Sequence, residues 1–84
     1  MSYRILILRR AQKELANLAI EPYYQAKKVI RQLTENPRPP GCRKLIGRDG
    51  WRIRIGDYRV IYEIDDKDQI ITILHIGHRR DIYR

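Results

Sequence analysis

Cysteine is nearly absent from this chain. The single Cys42 excludes an intramolecular disulfide framework and a cysteine-rich zinc site, and it suits a reducing compartment such as the cytosol. Long apolar runs are missing as well. The N-terminal run from Ile5 to Leu8 is four residues long, too short for the core of a signal peptide or for a membrane span, and no other stretch qualifies. Glycine and proline number only five and four, with no repeat or low-complexity segment, which excludes collagenous and disordered classes. Eighty-four residues leave room for one domain, 1–84. A domain this small buries only about 60% of the surface its unfolded chain exposes, so it is expected to lean on a partner.

Acidic residues are the remaining shortage. Ten Asp and Glu stand against eighteen Lys and Arg, of which thirteen are arginine, giving a net charge of +8. The charge is also segregated. Residues 38–59 hold Arg38, Arg43, Lys44, Arg48, Arg52, Arg54 and Arg59 against Asp49 and Asp57, whereas 62–69 hold Glu63, Asp65, Asp66 and Asp68 against Lys67. A basic chain can simply be well solvated, but clustering of this kind is the electrostatic footprint of a binder of nucleic acid or of acidic protein.

Hydrophobic periodicity orders the elements. Tyr3 to Leu8 reads as a buried strand. Ala11, Leu15 and Leu18 then recur at helical spacing, followed by a second helix that opens at Glu21-Pro22, carries Ala26, Ile30 and Leu33, and stops at Asn36-Pro37. After the loop Arg38 to Gly41 everything reads as strand: Arg43 to Ile46, Trp51 to Ile55, Tyr58 to Ile64, and Gln69 to Ile76, the most apolar and the expected sheet centre. The expected class is α+β, in the order β-α-α-β-β-β-β, with a helical hairpin over one face of a mostly antiparallel sheet.

The segment Trp51 to Ile64 carries the chemistry. Gly56-Asp57 is a two-residue hairpin loop, which pairs Ile55 with Tyr58, Arg54 with Arg59 and Arg52 with Ile61. Trp51, Ile53, Ile55, Tyr58, Val60, Tyr62 and Ile64 then share a core face, and Arg52, Arg54, Arg59, Ile61 and Glu63 share the other. Like charges directly opposite each other destabilise a sheet by roughly 0.2–1 kcal/mol. One reading is a solvated face neutralised by Glu63. The favoured one is an anion site, since the planar guanidinium fork matches phosphate oxygens and a bound phosphate offsets the repulsion.

The C-terminal run His78-Arg79-Arg80-Asp81-Ile82-Tyr83-Arg84 leaves the last strand within reach of that face. Cations stabilise charge building on phosphorus, and a group that takes and gives protons can activate a 2′-OH and protonate a leaving 5′-oxygen. No metal or other cofactor is expected, because His75 and His78 lack a carboxylate or cysteine cluster. His78 reads equally as a chemical or a surface residue. His75, inside the apolar strand, reads as a core histidine, and Trp51 as a packing residue more than a base-stacking one.

The runs Lys44-Leu-Ile-Gly47, Trp51-Arg-Ile-Arg-Ile-Gly-Asp-Tyr-Arg-Val-Ile-Tyr62 and His75-Ile-Gly-His-Arg-Arg-Asp-Ile-Tyr-Arg84 resemble the RelE/ParE superfamily of bacterial toxins, more closely its RelE branch. The resemblance spans the chain and implies the same fold. It implies the toxin of a type II toxin–antitoxin system, a ribosome-dependent endoribonuclease that cuts mRNA in the ribosomal A site, without metal, through attack of the 2′-OH on the adjacent phosphate. The family's catalytic set maps onto Arg52 and Arg54, Arg59, Arg79 and Tyr83, with Arg59 and Arg79 stabilising the transition state and Tyr83 as general base. Arg43, Lys44, Arg48, Arg80 and Arg84 are the expected RNA-binding residues.

The first two positions are commonly lysine in the best-studied members. Arginine stays protonated, so Arg54 is a poor general acid, and His78 beside Arg79 is the candidate for that proton. Since the chain ends one residue after Tyr83, no C-terminal helix of the kind some members carry is expected. The resemblance also implies a cognate antitoxin that wraps the toxin with a helical segment, in a complex that binds operator DNA, and a cytoplasmic, non-membrane setting. The alternative is a ParE-like, non-catalytic inhibitor of DNA gyrase.

Overall fold

The computed structural model describes residues 2–78. The elements follow the expected order: β1 (Arg4–Ile7), α1 (Arg9–Ala16), α2 (Ile20–Leu33), β2 (Arg43–Lys44), β3 (Trp51–Ile55), β4 (Tyr58–Asp65) and β5 (Ile70–His78). The five strands form one sheet in the order β1-β5-β4-β3-β2. Only β1 runs parallel to its neighbour, pairing Arg4 to Ile7 with Ile70 to Ile73. The middle strand is therefore β4, not the apolar β5, because β1 docks on the outer side of β5. Both strands are flanked on two sides, which accounts for the apolar run in each.

Both helices cover one face. Ala11 of α1 and Ala26, Ile30 and Leu33 of α2 meet Ile53, Ile55, Val60, Tyr62, Ile71, Ile73 and Ile76 in a single core. The helix α2 starts at Ile20, one residue before the expected Glu21-Pro22. Pro22 still lies in the first turn, where no backbone N–H has an intrahelical partner, so proline costs nothing there. The Tyr62 hydroxyl donates to the Pro37 carbonyl at 2.8 Å, tying the sheet to the segment after α2.

The strand β2 is only two residues long. The chain turns away at once, Leu45 N–H donating to the Gly50 carbonyl at 3.0 Å to close a loop. Gly50 has φ +125° and sits where a Cβ would lie 3.1 Å from the Leu45 side chain and 3.4 Å from the Tyr62 carbonyl oxygen, so only glycine suits it.

One irregularity decides what faces what. In the β4–β5 ladder Tyr62 pairs with Ile73, but Ile61 pairs with His75, so Leu74 is an extra residue at a β-bulge. Before the bulge Ile71 and Ile73 point to the helices, and after it Ile76 does. Had Leu74 taken a regular place in the ladder, alternation would have sent His75 to the core.

Candidate functional site

The hairpin pairs as expected: Arg52 with Ile61, Ile53 with Val60, Arg54 with Arg59, and Ile55 with Tyr58. The short strand β2 adds one more cation, since Arg43 stands opposite Arg52. Four arginines from three strands therefore share the face that the helices leave uncovered. Arg43 and Arg54 are exposed and Arg52 is half-buried. Arg59 is 5% exposed, the one buried charged side chain among the described residues. Ile61, between the arginine positions, is 4% exposed although it lies outside the helix-side core, so this face has an apolar floor of its own.

That floor belongs to a cavity of about 830 Å³. Ile61, Leu45 and Leu74 line its apolar part, and Arg43, Lys44, Arg48 and Arg52 surround it with positive charge. Arg52, Arg54 and Arg43 also line an adjoining groove. Three of the expected RNA-binding residues, Arg43, Lys44 and Arg48, thus meet the catalytic candidate Arg52. Arg79, Arg80, Tyr83 and Arg84 lie outside the described residues.

His75 is not the core histidine that was expected, and His78, read equally as a chemical or a surface residue, is half-buried. His78 pairs with Tyr58 on the helix side, its ring edge-on to that of Tyr58 with centroids 5.6 Å apart. His75 lines the arginine cavity, because the bulge turns it there. Glu14 of α1 reaches it, with Oε2 2.6 Å from His75 Nδ1. The other oxygen of Glu14 accepts the Ile76 N–H at 2.9 Å, on the edge of β5 beyond the end of β1. Arg10, one turn earlier, places Nε 3.3 Å from Glu14 Oε2 and Nη2 3.4 Å from His75 Nε2. Sequence reasoning missed Arg10, Glu14 and His75 as a group. The spacing of Arg10 and Glu14 marks an ordinary helix ion pair and says nothing of the strand beside it.

Trp51 packs against the core and carries Arg38 and Lys44 at 5.1 and 5.7 Å from its ring centroid, so its faces are engaged within the domain. Among the described residues no group of three or more His, Cys, Asp or Glu side chains comes together that could hold a metal ion. No helix among them is long and apolar enough to cross a membrane. The arrangement can grip a phosphodiester with fixed cations, seat an apolar ring or ribose on Ile61 and Leu74, and present one imidazole at the edge.

A small α+β domain of this strand order has the architecture of the RelE toxins. The ParE toxin model of type II toxin–antitoxin systems matches residues 5–83, and the chain belongs to this toxin family. Its similarities lie on the RelE-like branch. The chain is 33% identical, over its full length and 98% of the relative, to a Methanocaldococcus jannaschii protein carrying the name RelE1. It superposes with a TM-score of 0.84 on the archaeal RelE–RelB complex from Pyrococcus horikoshii, at 35% identity, covering 94% of this chain and 97% of that one. The isolated E. coli RelE toxin superposes with a TM-score of 0.81 at 28% identity, covering 98% and 92%. The chain is thus a toxin of a type II toxin–antitoxin system, with the RelE-like fold.

Proposed function

We propose that this toxin is a ribosome-dependent mRNA endoribonuclease. The observation that carries the reading is the opposition of Arg43 to Arg52 and of Arg54 to Arg59 on one uncovered face, with Arg59 buried. Repulsion of this kind is retained where an anion offsets it, and the scissile phosphate of RNA has the matching charge and geometry. Arg52 and Arg54 grip the phosphate and Arg59 stabilises the charge that grows in the transition state. On the resemblance, Arg79 shares that task and Tyr83 takes the proton of the attacking 2′-OH. The cleavage leaves a 2′,3′-cyclic phosphate and a 5′-OH and calls on no metal.

Cations alone give little rate on flexible RNA unless the 2′-OH is held in line with the leaving oxygen, and the ribosome supplies that constraint. Arg43, Lys44 and Arg48 hold the neighbouring RNA backbone. The partner is a cognate antitoxin, supported by the RelB-bound state of the P. horikoshii relative. Binding of operator DNA by the complex belongs to the same reading.

The test is primer-extension mapping of a defined mRNA in a cell-free translation reaction, with wild type, Arg59→Ala and Arg54→Ala. Cuts within codons that need ribosomes and vanish in both variants support the reading. The exposed Arg54 separates loss of the site from damage to the core. A folded toxin that makes no cuts transfers the weight to the second reading, inhibition of DNA gyrase without catalysis, which the ParE name of the family favours. A DNA supercoiling assay then decides.

A further inference from the structure

We propose that His75, held by Glu14, is the general acid of the cleavage reaction and protonates the leaving 5′-oxygen. The inference rests on the nuclease reading above and goes further by naming a residue outside the expected set. Departure of the 5′-oxygen needs a proton, and four guanidiniums cannot supply it, because arginine does not release one in this pH range. His78, the residue expected to do so, is turned to the helix side against Tyr58. His75 stands in its stead. It lies opposite Ile61 and two residues from Gly77, which is itself opposite Arg59. His75 and Arg59 are therefore diagonal neighbours on one face, a relation of about 7–8 Å that long side chains bridge. Gly77 has no side chain to fill the space between them.

The surroundings of the ring suit the role. Glu14 Oε2 lies 2.6 Å from Nδ1 without the alignment of a hydrogen bond, so the carboxylate is a close counter-charge to the ring. Glu14 is itself held by the Ile76 N–H at 2.9 Å. The other nitrogen, Nε2, is directed to Arg10, whose Nη2 is 3.4 Å away. The Arg10 side chain is 69% exposed and borders the same cavity as His75. A phosphate in that cavity gives the Arg10 guanidinium a better partner and leaves Nε2 to carry its own proton, with Glu14 balancing the imidazolium. Among the described residues, the charged groups facing the ring are Arg10 and Glu14 from α1, Arg43, Lys44, Arg48 and Arg52 around the shared cavity, and Arg59 on the diagonal.

In the reaction the 2′-oxygen forms a bond to phosphorus as its proton passes to the general base, which the resemblance puts at Tyr83. The P–O5′ bond breaks and its electron pair leaves with the 5′-oxygen, which takes the Nε2 proton. Neutral His75 remains beside Glu14 and is reprotonated by water.

A leaving group that needs no proton isolates this role. Ribosomes programmed with an mRNA are supplied either with an ordinary phosphodiester at the cleaved position or with a 5′-bridging phosphorothiolate, whose sulfur departs as a thiolate. Single-turnover rates are compared for wild type, His75→Gln, Glu14→Gln and Arg52→Ala. The expected result is a loss of about 10²–10⁴-fold for His75→Gln on the ordinary mRNA, shrinking to within about tenfold on the sulfur substrate. Glu14→Gln, which leaves His75 in place, follows with a smaller loss in the same pattern. Arg52→Ala is slow on both substrates. Equal losses on both substrates for His75→Gln and Glu14→Gln, or no loss on either, overturn the proposal while leaving the nuclease reading intact. A wild type that cuts neither substrate overturns both.

Discussion

Arg54 and Arg59 face each other across the β3–β4 hairpin, one exposed and the other buried. On the proposed function the pair opposes folding and serves binding, so the two effects separate on mutation. Replacing Arg54 with threonine removes the repulsion and adds a residue that favours strands. We expect stability to rise by about 0.2–1 kcal/mol, read as an upward shift of Tm by a few degrees, with mRNA cleavage lost. Inorganic phosphate should stabilise wild type more than the variant, since a ligand that binds only the folded state raises its apparent stability. A variant neither more stable nor less active would show that the pair holds no anion.

Gly50 predicts a stability loss that reaches the site. Its φ of +125° strains any L side chain, and a Cβ there would press on the Leu45 side chain at 3.1 Å. Gly50→Ala should cost about 1–3 kcal/mol in backbone strain, seen as a lower urea midpoint. It should also weaken RNA binding, because the Leu45–Gly50 hydrogen bond closes the loop that carries Arg48. Unchanged binding in the folded variant would detach that loop from the site.

Tyr62 is fully buried and donates to the Pro37 carbonyl. Burial is the main cause that pushes its phenol well above the ordinary tyrosine range, with Cys42 adding to it. Tyr62→Phe keeps the ring and loses the hydrogen bond, a cost of about 0.5–1.5 kcal/mol. A folded-state value raised above the unfolded one means that the phenol contributes stability below about pH 10, lost as the pH rises further. Alkaline denaturation of wild type and Tyr62→Phe should therefore differ in steepness. Parallel curves would contradict it.

Asp66 accepts from Arg38 at 2.8 Å and from the Tyr3 hydroxyl at 2.6 Å, and these bonds, that to Arg38 foremost, hold its carboxyl below the usual range. A depressed folded value gives stability that is present above the unfolded pKa, about 3.9, and fades as the pH falls through the lower folded value. Asp66→Ala should be less stable than wild type at neutral pH and converge with it in acid. The group is exposed, so the difference is small and shrinks with salt. Acid unfolding curves that never converge would exclude the linkage.

How much of this was open to reading without coordinates depends on the range of the interactions involved. The alternation from Trp51 to Ile64 and the Gly56-Asp57 loop are local, and a two-residue loop leaves one register. Arg52, Arg54 and Arg59 were thereby brought to one face by period alone. The helices were equally legible, because their apolar spacing records which side is buried, and the order of elements followed. The resemblance to the RelE/ParE toxins rested on that β-hairpin together with the runs 44–47 and 75–84.

Tertiary structure decided the rest. Nothing within β2 says that Arg43 will stand opposite Arg52, because a two-residue strand has no period and takes its register from the hairpin it joins. The middle of the sheet went to β4 once β1 docked beside β5, a parallel contact made across most of the chain. The bulge at Leu74 turned His75 to the arginines and Ile76 to the core, where the helices bury it. Alternation predicts faces only while each residue advances the ladder by one step, and an inserted residue is retained when distant packing rewards the shifted parity. Glu14 could become a partner of His75 only after α1 had come to rest along the edge of β5, where β1 ends and the Ile76 N–H needs an acceptor.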